Sequence, residues 1–194
     1  ASRKITFSIS TSLLIVIPCA IGFITLAEPI LTMLYPNASD GAHILQIAAV
    51  TMIFVAMNHT LQGSLFGLGK MYVPALALLT GSVVKICLNL ILIRNPNINI
   101  YGAMISSFVC QIITFTIIYA TLKKSIDFKI DVKNGILKPL LSGIIMSLVI
   151  IVTYMLLNKI LGNSLTTIIC ILLGAVSYLI SILLLKTLSK NDIC

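Results

Sequence analysis

Ser164–Leu185, SLTTIICILLGAVSYLISILLL, decides the fold: twenty-two residues pass without a charge. Wound as an α-helix they reach ~33 Å, enough to cross a bilayer's hydrocarbon core. Five more runs of comparable length precede it, at Ser8–Leu26, His43–Leu65, Pro74–Ile93, Tyr101–Leu122 and Ile136–Leu157. In lipid the backbone must satisfy its own hydrogen bonds, which leaves helices or a closed barrel. Barrel strands alternate apolar and polar residues, whereas these runs are apolar on every side. The sequence therefore predicts an all-α polytopic bundle of six membrane-spanning helices.

The charges say which way it faces. Of thirteen Lys and Arg residues, ten fall in the two tails, the 66–73 turn and the 123–139 loop: Arg3, Lys4, Lys70, Lys123, Lys124, Lys129, Lys133, Lys138, Lys186 and Lys190. The opposite gaps hold only Arg94 and Lys159. Basic loops stay in the cytoplasm, so both termini are expected there. Composition agrees with the class, since 59% of residues are hydrophobic and 9% charged, against about 25% charged in a soluble domain. The net charge of +8 follows from topology and attraction to anionic headgroups; without a soluble basic domain, nucleic acid is not expected as a partner. Membrane lipids are.

Cysteine usage adds little chemistry. Cys19, Cys87, Cys110 and Cys170 sit within apolar runs, and the terminal Cys194 has no residues after it to form a prenylation box. There is no C-x-x-C, so no metal site, disulfide framework or cofactor is expected. No acidic pair shares a membrane helix, no Ser/His/Asp set is present, and no glycine loop suits a phosphate. An enzyme is not expected. Arg3 and Lys4 before an apolar run mimic a signal peptide, but the run is too long and lacks a cleavage site. The opening Ala1 suggests the tail portion of a longer protein.

Local punctuation divides the chain further. Pro18, with Gly22 one turn on, is expected to bend the first helix. Glu28-Pro29 should interrupt its outer end, leaving Ile30–Tyr35 as a short interfacial turn. Glu28 is either a solvated end residue or an ion site. From Ile126 to Lys133 apolar and charged residues alternate strictly, which predicts an extended surface connector.

Three polar stripes stand out within the membrane. Lys85 lies ~16 Å from Pro74 and ~13 Å from Arg94 along its helix, beyond comfortable reach of either surface. An ammonium at that depth costs at least ~2.5–3.5 kcal/mol unless partnered or hydrated. Ser82 and Asn89 share its face. Thr51, Asn58 and Gln62 form a stripe on the second helix, with His59 beside them, and Ser107, Gln111 and Thr114 form one on the fourth. Such stripes either glue helices together or line a partly polar cavity. In the last two helices Gly143 with Ser147, and Gly174 with Ser177 and Ser181, offer small faces for close packing.

The order of these features resembles the multidrug/oligosaccharidyl-lipid/polysaccharide exporter superfamily, in its polysaccharide-exporter and stage V sporulation protein B branch. The resembling residues are Ile17-Pro18 with Gly22, Leu26-Ala27-Glu28-Pro29-Ile30 with Leu34-Tyr35, and Leu61-Gln62-Gly63 with Leu68-Gly69-Lys70 before Pro74. Gly81, Lys85 and Asn89, Ile98-Asn99-Ile100-Tyr101-Gly102-Ala103 and Lys138-Pro139 continue the match.

The resemblance implies a two-lobed transporter that flips lipid-linked oligosaccharide, polysaccharide or peptidoglycan precursor across the bacterial cytoplasmic membrane by alternating access. Residues 1–122 would be four helices of its C-terminal lobe, 123–139 a cytoplasmic amphipathic connector, and 140–194 an additional helix pair beside the lipid tail. The N-terminal lobe of the same protein would be its partner. Lys85 would meet the cargo's pyrophosphate, with Asn89, Asn58, Gln62 and Gln111 binding sugar or peptide. A cation-coupled multidrug exporter of the same superfamily is one alternative. A non-transporting partner in cell-wall or spore-envelope assembly is another.

The predicted orientation is checked by labelling with a membrane-impermeant maleimide. A cysteine at Lys124, in a background without other cysteines, should react in inside-out vesicles and not from outside whole cells. Labelling from outside would invert the topology.

Overall fold

The structure, a computed structural model, describes residues 2–35, 41–94, 99–126 and 133–184. All its regular elements among these residues are helical: α1 Ser2–Thr25, α2 Ala27–Leu34, α3 Ala42–Gly67, α4 Tyr72–Leu92, α5 Asn99–Ser125, a π-helical turn Lys133–Leu137, α6 Lys138–Leu161 and α7 Asn163–Leu184. Every element except α2 and the π turn belongs to a stretch long and apolar enough to cross a membrane, six in all. The six apolar helices that the sequence predicts are present.

Helix boundaries follow local chemistry. The break after α1 falls at Leu26 (φ −102°, ψ 17°), ahead of Glu28-Pro29. Pro29 instead sits in the first turn of α2, where a missing N–H removes no helix bond. At the other end α5 runs on to Ser125, and helix resumes at Lys133. Within the expected 123–139 connector, 123–125 and 133–139 are helical, and its alternating core, 127–132, lies outside the described residues. Gly69 and Gly162, both at φ 74°, turn α3 into α4 and α6 into α7, a backbone region that glycine enters without steric cost.

Packing groups the chain into two compact units. One comprises Ala1–Ser12 and Val50–Ile130, the other Leu13–Ala49 and Asp131–Cys194. Helix α1 is thus divided near its middle, and α3 contributes its first eight residues, 42–49, to the second unit and the rest to the first.

The first unit is built on the α4–α5 hairpin. Gly81 lets the two backbones approach: a Cβ there would lie 2.7 Å from Thr114 Oγ1 and 3.1 Å from the Cys110 carbonyl. Thr114 Oγ1 in turn donates to the Ala77 carbonyl, 3.4 Å away. Lys70 Nζ donates to Ser125 Oγ at 2.7 Å, tying the α3–α4 turn to the end of α5. Phe54 of α3 meets Phe108 and Phe115 of α5 edge-on, with centroids 5.4 and 6.1 Å apart.

The second unit centres on the α6–α7 hairpin, with α2 packed against α7. Leu26, Met146, Ile150, Cys170, Tyr178 and Ile182 form its core. Gly174 presses on Ile150, and Gly143 on Ile21, so both act as the small faces expected of them. Asn163 is a hub at one end. Its Nδ2 donates to Thr32 Oγ1 at 2.6 Å and to the Pro29 carbonyl at 3.3 Å, while its Oδ1 accepts from Tyr154 at 2.9 Å.

Pro18 lies inside a continuous α1. Its ring nitrogen carries no hydrogen, so the Leu14 carbonyl one turn earlier loses its helical donor. The hydroxyl of Tyr178, on α7, supplies the replacement at 2.6 Å.

Tyr178→Phe should therefore destabilise the protein by ~0.6–1.7 kcal/mol, the range for interhelical hydrogen bonds in membranes. Pro18→Ala in the same chain should recover most of that loss, because alanine returns the N–H. SDS-titrated unfolding in detergent measures both; no recovery in the double variant would detach Tyr178 from the Leu14 carbonyl.

Candidate functional site

Two features of the fold have the geometry of sites, one in each unit. The first is an apolar groove of about 490 Å³ in the second unit, open along one side. Pro18, Gly22 and Phe23 of α1 form one wall, Met146 and Ile150 of α6 its floor, and Gly174 and Tyr178 of α7 the other wall. Gly22 widens it: a Cβ there meets only Met146 Cε, at 3.8 Å. Since the Tyr178 hydroxyl is spent on the Leu14 carbonyl, its ring presents only its apolar body. The groove is shaped for hydrocarbon and carries no group to recognise a head.

The second feature is the polar set on α3, α4 and α5 in the first unit. Asn58 is 2% exposed. Its Nδ2 donates to Gln111 Oε1 at 2.7 Å and to the Gln111 carbonyl at 3.1 Å, and its Oδ1 is buried without a partner among the described residues. Gln62, one turn along α3, is buried as well. Ser106 donates to Asn89 Oδ1, bridging α5 to α4.

Lys85 stands half-buried on α4, one turn before Asn89, and no hydrogen bond or ion pair reaches its ammonium from the described residues. Asn89 also lines, with Ile86, Leu90 and Arg94, a pocket of about 310 Å³. Of the predicted residues only Asn58 and Gln111 are bonded to each other; Asn89 is bridged to Ser106, which the predicted stripe did not include, and Lys85 and Gln62 join neither pair among the described residues.

The other stripe residues on α5 serve its own backbone or its contact with α4. Ser107 donates to the Ala103 carbonyl on its own helix at 2.8 Å, and Thr114 packs into the α4–α5 contact. Glu28 is exposed at the start of α2, and no group of three or more His, Cys, Asp or Glu gathers as a metal site among the described residues. Tyr178 and Asn163 were not singled out from the sequence for the hydrogen bonds they make. The first had a readable signal: a proline deep in a helix implies a bare carbonyl one turn back that some donor must reach.

The fold and these sites define a multi-pass helical membrane protein with a hydrocarbon-shaped groove and a single cation set well within a span. The family model of the lipid II flippase MurJ matches residues 1–176. The chain belongs to that family, a family of transporters within the exporter superfamily that its residues resemble. No curated protein and no solved structure matches it.

Proposed function

We propose that this chain forms part of a flippase in the bacterial cytoplasmic membrane, carrying the lipid-linked peptidoglycan precursor by alternating access with an N-terminal lobe. The observation that carries the proposal is the groove in the second unit. A polyprenyl tail is a long hydrocarbon too bulky to enter a polar cavity without losing its contact with lipid. A furrow of about 490 Å³ walled by aliphatic and aromatic side chains offers that tail a matching surface; lipid tails are as apolar as these walls, so close packing rather than removal from water would favour it.

The cargo's head is a pyrophosphate bearing sugar and peptide. Lys85 supplies the compact charge that suits a phosphate, and its ammonium, which none of the described residues pairs, fits a group awaiting an anion. Asn89 and Gln62 offer amides to the sugar or peptide. Asn58 and Gln111 act chiefly as a pair that holds α3 to α5, leaving the Gln111 amide N–H groups for the cargo. An oligosaccharide or polysaccharide repeat on the same lipid carrier, as in the sporulation-linked branch, presents the same pyrophosphate and tail. It differs only in what the amides meet.

Flipping by the intact protein in vesicles tests this, with fluorescent lipid-linked peptidoglycan precursor as cargo. Lys85→Ala should cut the rate about tenfold or more and Lys85→Arg should keep a measurable part of it. Gly22→Trp, whose side chain projects into the groove, should slow flipping while the protein still folds. Unchanged rates for Lys85→Ala and Gly22→Trp together would remove both sites from the mechanism. Equal transport of a polysaccharide repeat on the same carrier would broaden the cargo beyond peptidoglycan precursor.

A further inference from the structure

A third concavity, in the first unit, is used by neither the groove nor the Lys85 face. It is a crevice of about 470 Å³ between the start of α1 and the last turns of α3, with Lys4, Ser8, His59, Gly63, Gly67 and Leu68 along its walls. Three of its polar groups are uncommitted. Lys4, Ser8 and His59 are exposed and make no hydrogen bond or ion pair with any described residue. Thr60 and Ser64, at its back, are already satisfied by the Ala56 and Thr60 carbonyls.

The glycines make the space. A Cβ at Gly63 or Gly67 would meet nothing within 4 Å, so neither residue is small because a neighbour presses on it. With His59 they repeat every fourth residue and line up on one face of α3. That face is bare backbone where something can lie close.

The electrostatics favour one sign. The described residues of this unit include Arg3, Lys4, Lys70, Lys85, Arg94, Lys123 and Lys124 and no carboxylate. Lys4 and Leu68 share the crevice, and Lys70 reaches Ser125, so five of these bases gather at the end where α1 begins, α3 and α5 end and α4 begins. An imidazole two turns inside a spanning helix is unfavourable against acyl chains. A headgroup drawn into the crevice removes that conflict.

We propose that the crevice is a binding site for an anionic glycerophospholipid of the cytoplasmic leaflet, its phosphodiester held by Lys4, Ser8 and His59 and seated over Gly63 and Gly67. One ammonium, a hydroxyl and an imidazole give a diester both a charge and hydrogen-bond donors. Leu68 and the stem of Lys4 flank it with apolar surface for the glycerol and upper acyl chains, which free phosphate lacks. The site stands independently of the cargo proposed for the groove.

The test uses the intact protein in detergent, titrated with dioctanoyl phosphatidylglycerol and read by native mass spectrometry. The tightest-bound lipid should be lost about fivefold more readily in Lys4→Gln, the factor for one basic residue near an anionic surface. His59→Gln should weaken it further, and Gly63→Leu should displace it while the melting temperature stays at the wild-type value. Dioctanoyl phosphatidylcholine should not occupy the site. Equal affinity in all variants would overturn the proposal. So would binding of inorganic phosphate or farnesyl pyrophosphate there in preference to phosphatidylglycerol.

Discussion

A peptide carbonyl in lipid has no water to fall back on, and in α1 one such carbonyl is deprived of its helical donor. Pro18 bares Leu14, and the second unit is arranged so that Tyr178 reaches it. The cost of leaving that oxygen unbonded in hydrocarbon is several kcal/mol, so the position of α7 against α1 is not free. Fixing Tyr178 also fixes one wall of the groove. A proline that looks like a defect thereby helps define the shape of a site.

The same constraint governs the polar side chains within the spans. Thr60, Ser64, Ser107, Thr116, Thr121 and Ser125 all return their hydroxyl protons to carbonyls four residues back. Asn58 and Ser106 instead reach across to Gln111 and Asn89. What is left over is informative because so much is consumed. Lys85, Lys4, Ser8 and His59 keep donors unused by the described residues, and these are the groups that the proposed ligands engage.

Hydropathy made the six spans legible, since each run had to be a helix once it was in lipid. The small faces at Gly143 and Gly174 were legible for the same reason. The break lies at Leu26, two residues ahead of Glu28-Pro29, because Pro29 serves as a first-turn residue rather than as a breaker. The polar stripes were visible as stripes, yet periodicity cannot say whether Asn58 faces a cavity or Gln111. That depends on which helix lies opposite, a matter of tertiary packing. The grouping of half of α1 with α6 and α7 was equally out of reach, and so was the role of Asn163, whose partners Thr32 and Pro29 lie far off in sequence. Lys85 was conspicuous from the start because a deep charge is costly wherever it points.

The central claim is that the groove of the second unit receives the cargo's prenyl tail. Its most direct test is photocrosslinking of the intact protein with a polyprenyl pyrophosphate carrying a diazirine near the middle of its chain, followed by peptide mapping. The account predicts adducts on the groove walls, at Phe23, Ala175 or Tyr178, that unlabelled polyprenyl pyrophosphate competes away. Adducts confined to outward residues such as Leu148 or Leu183, indifferent to competitor, would contradict it.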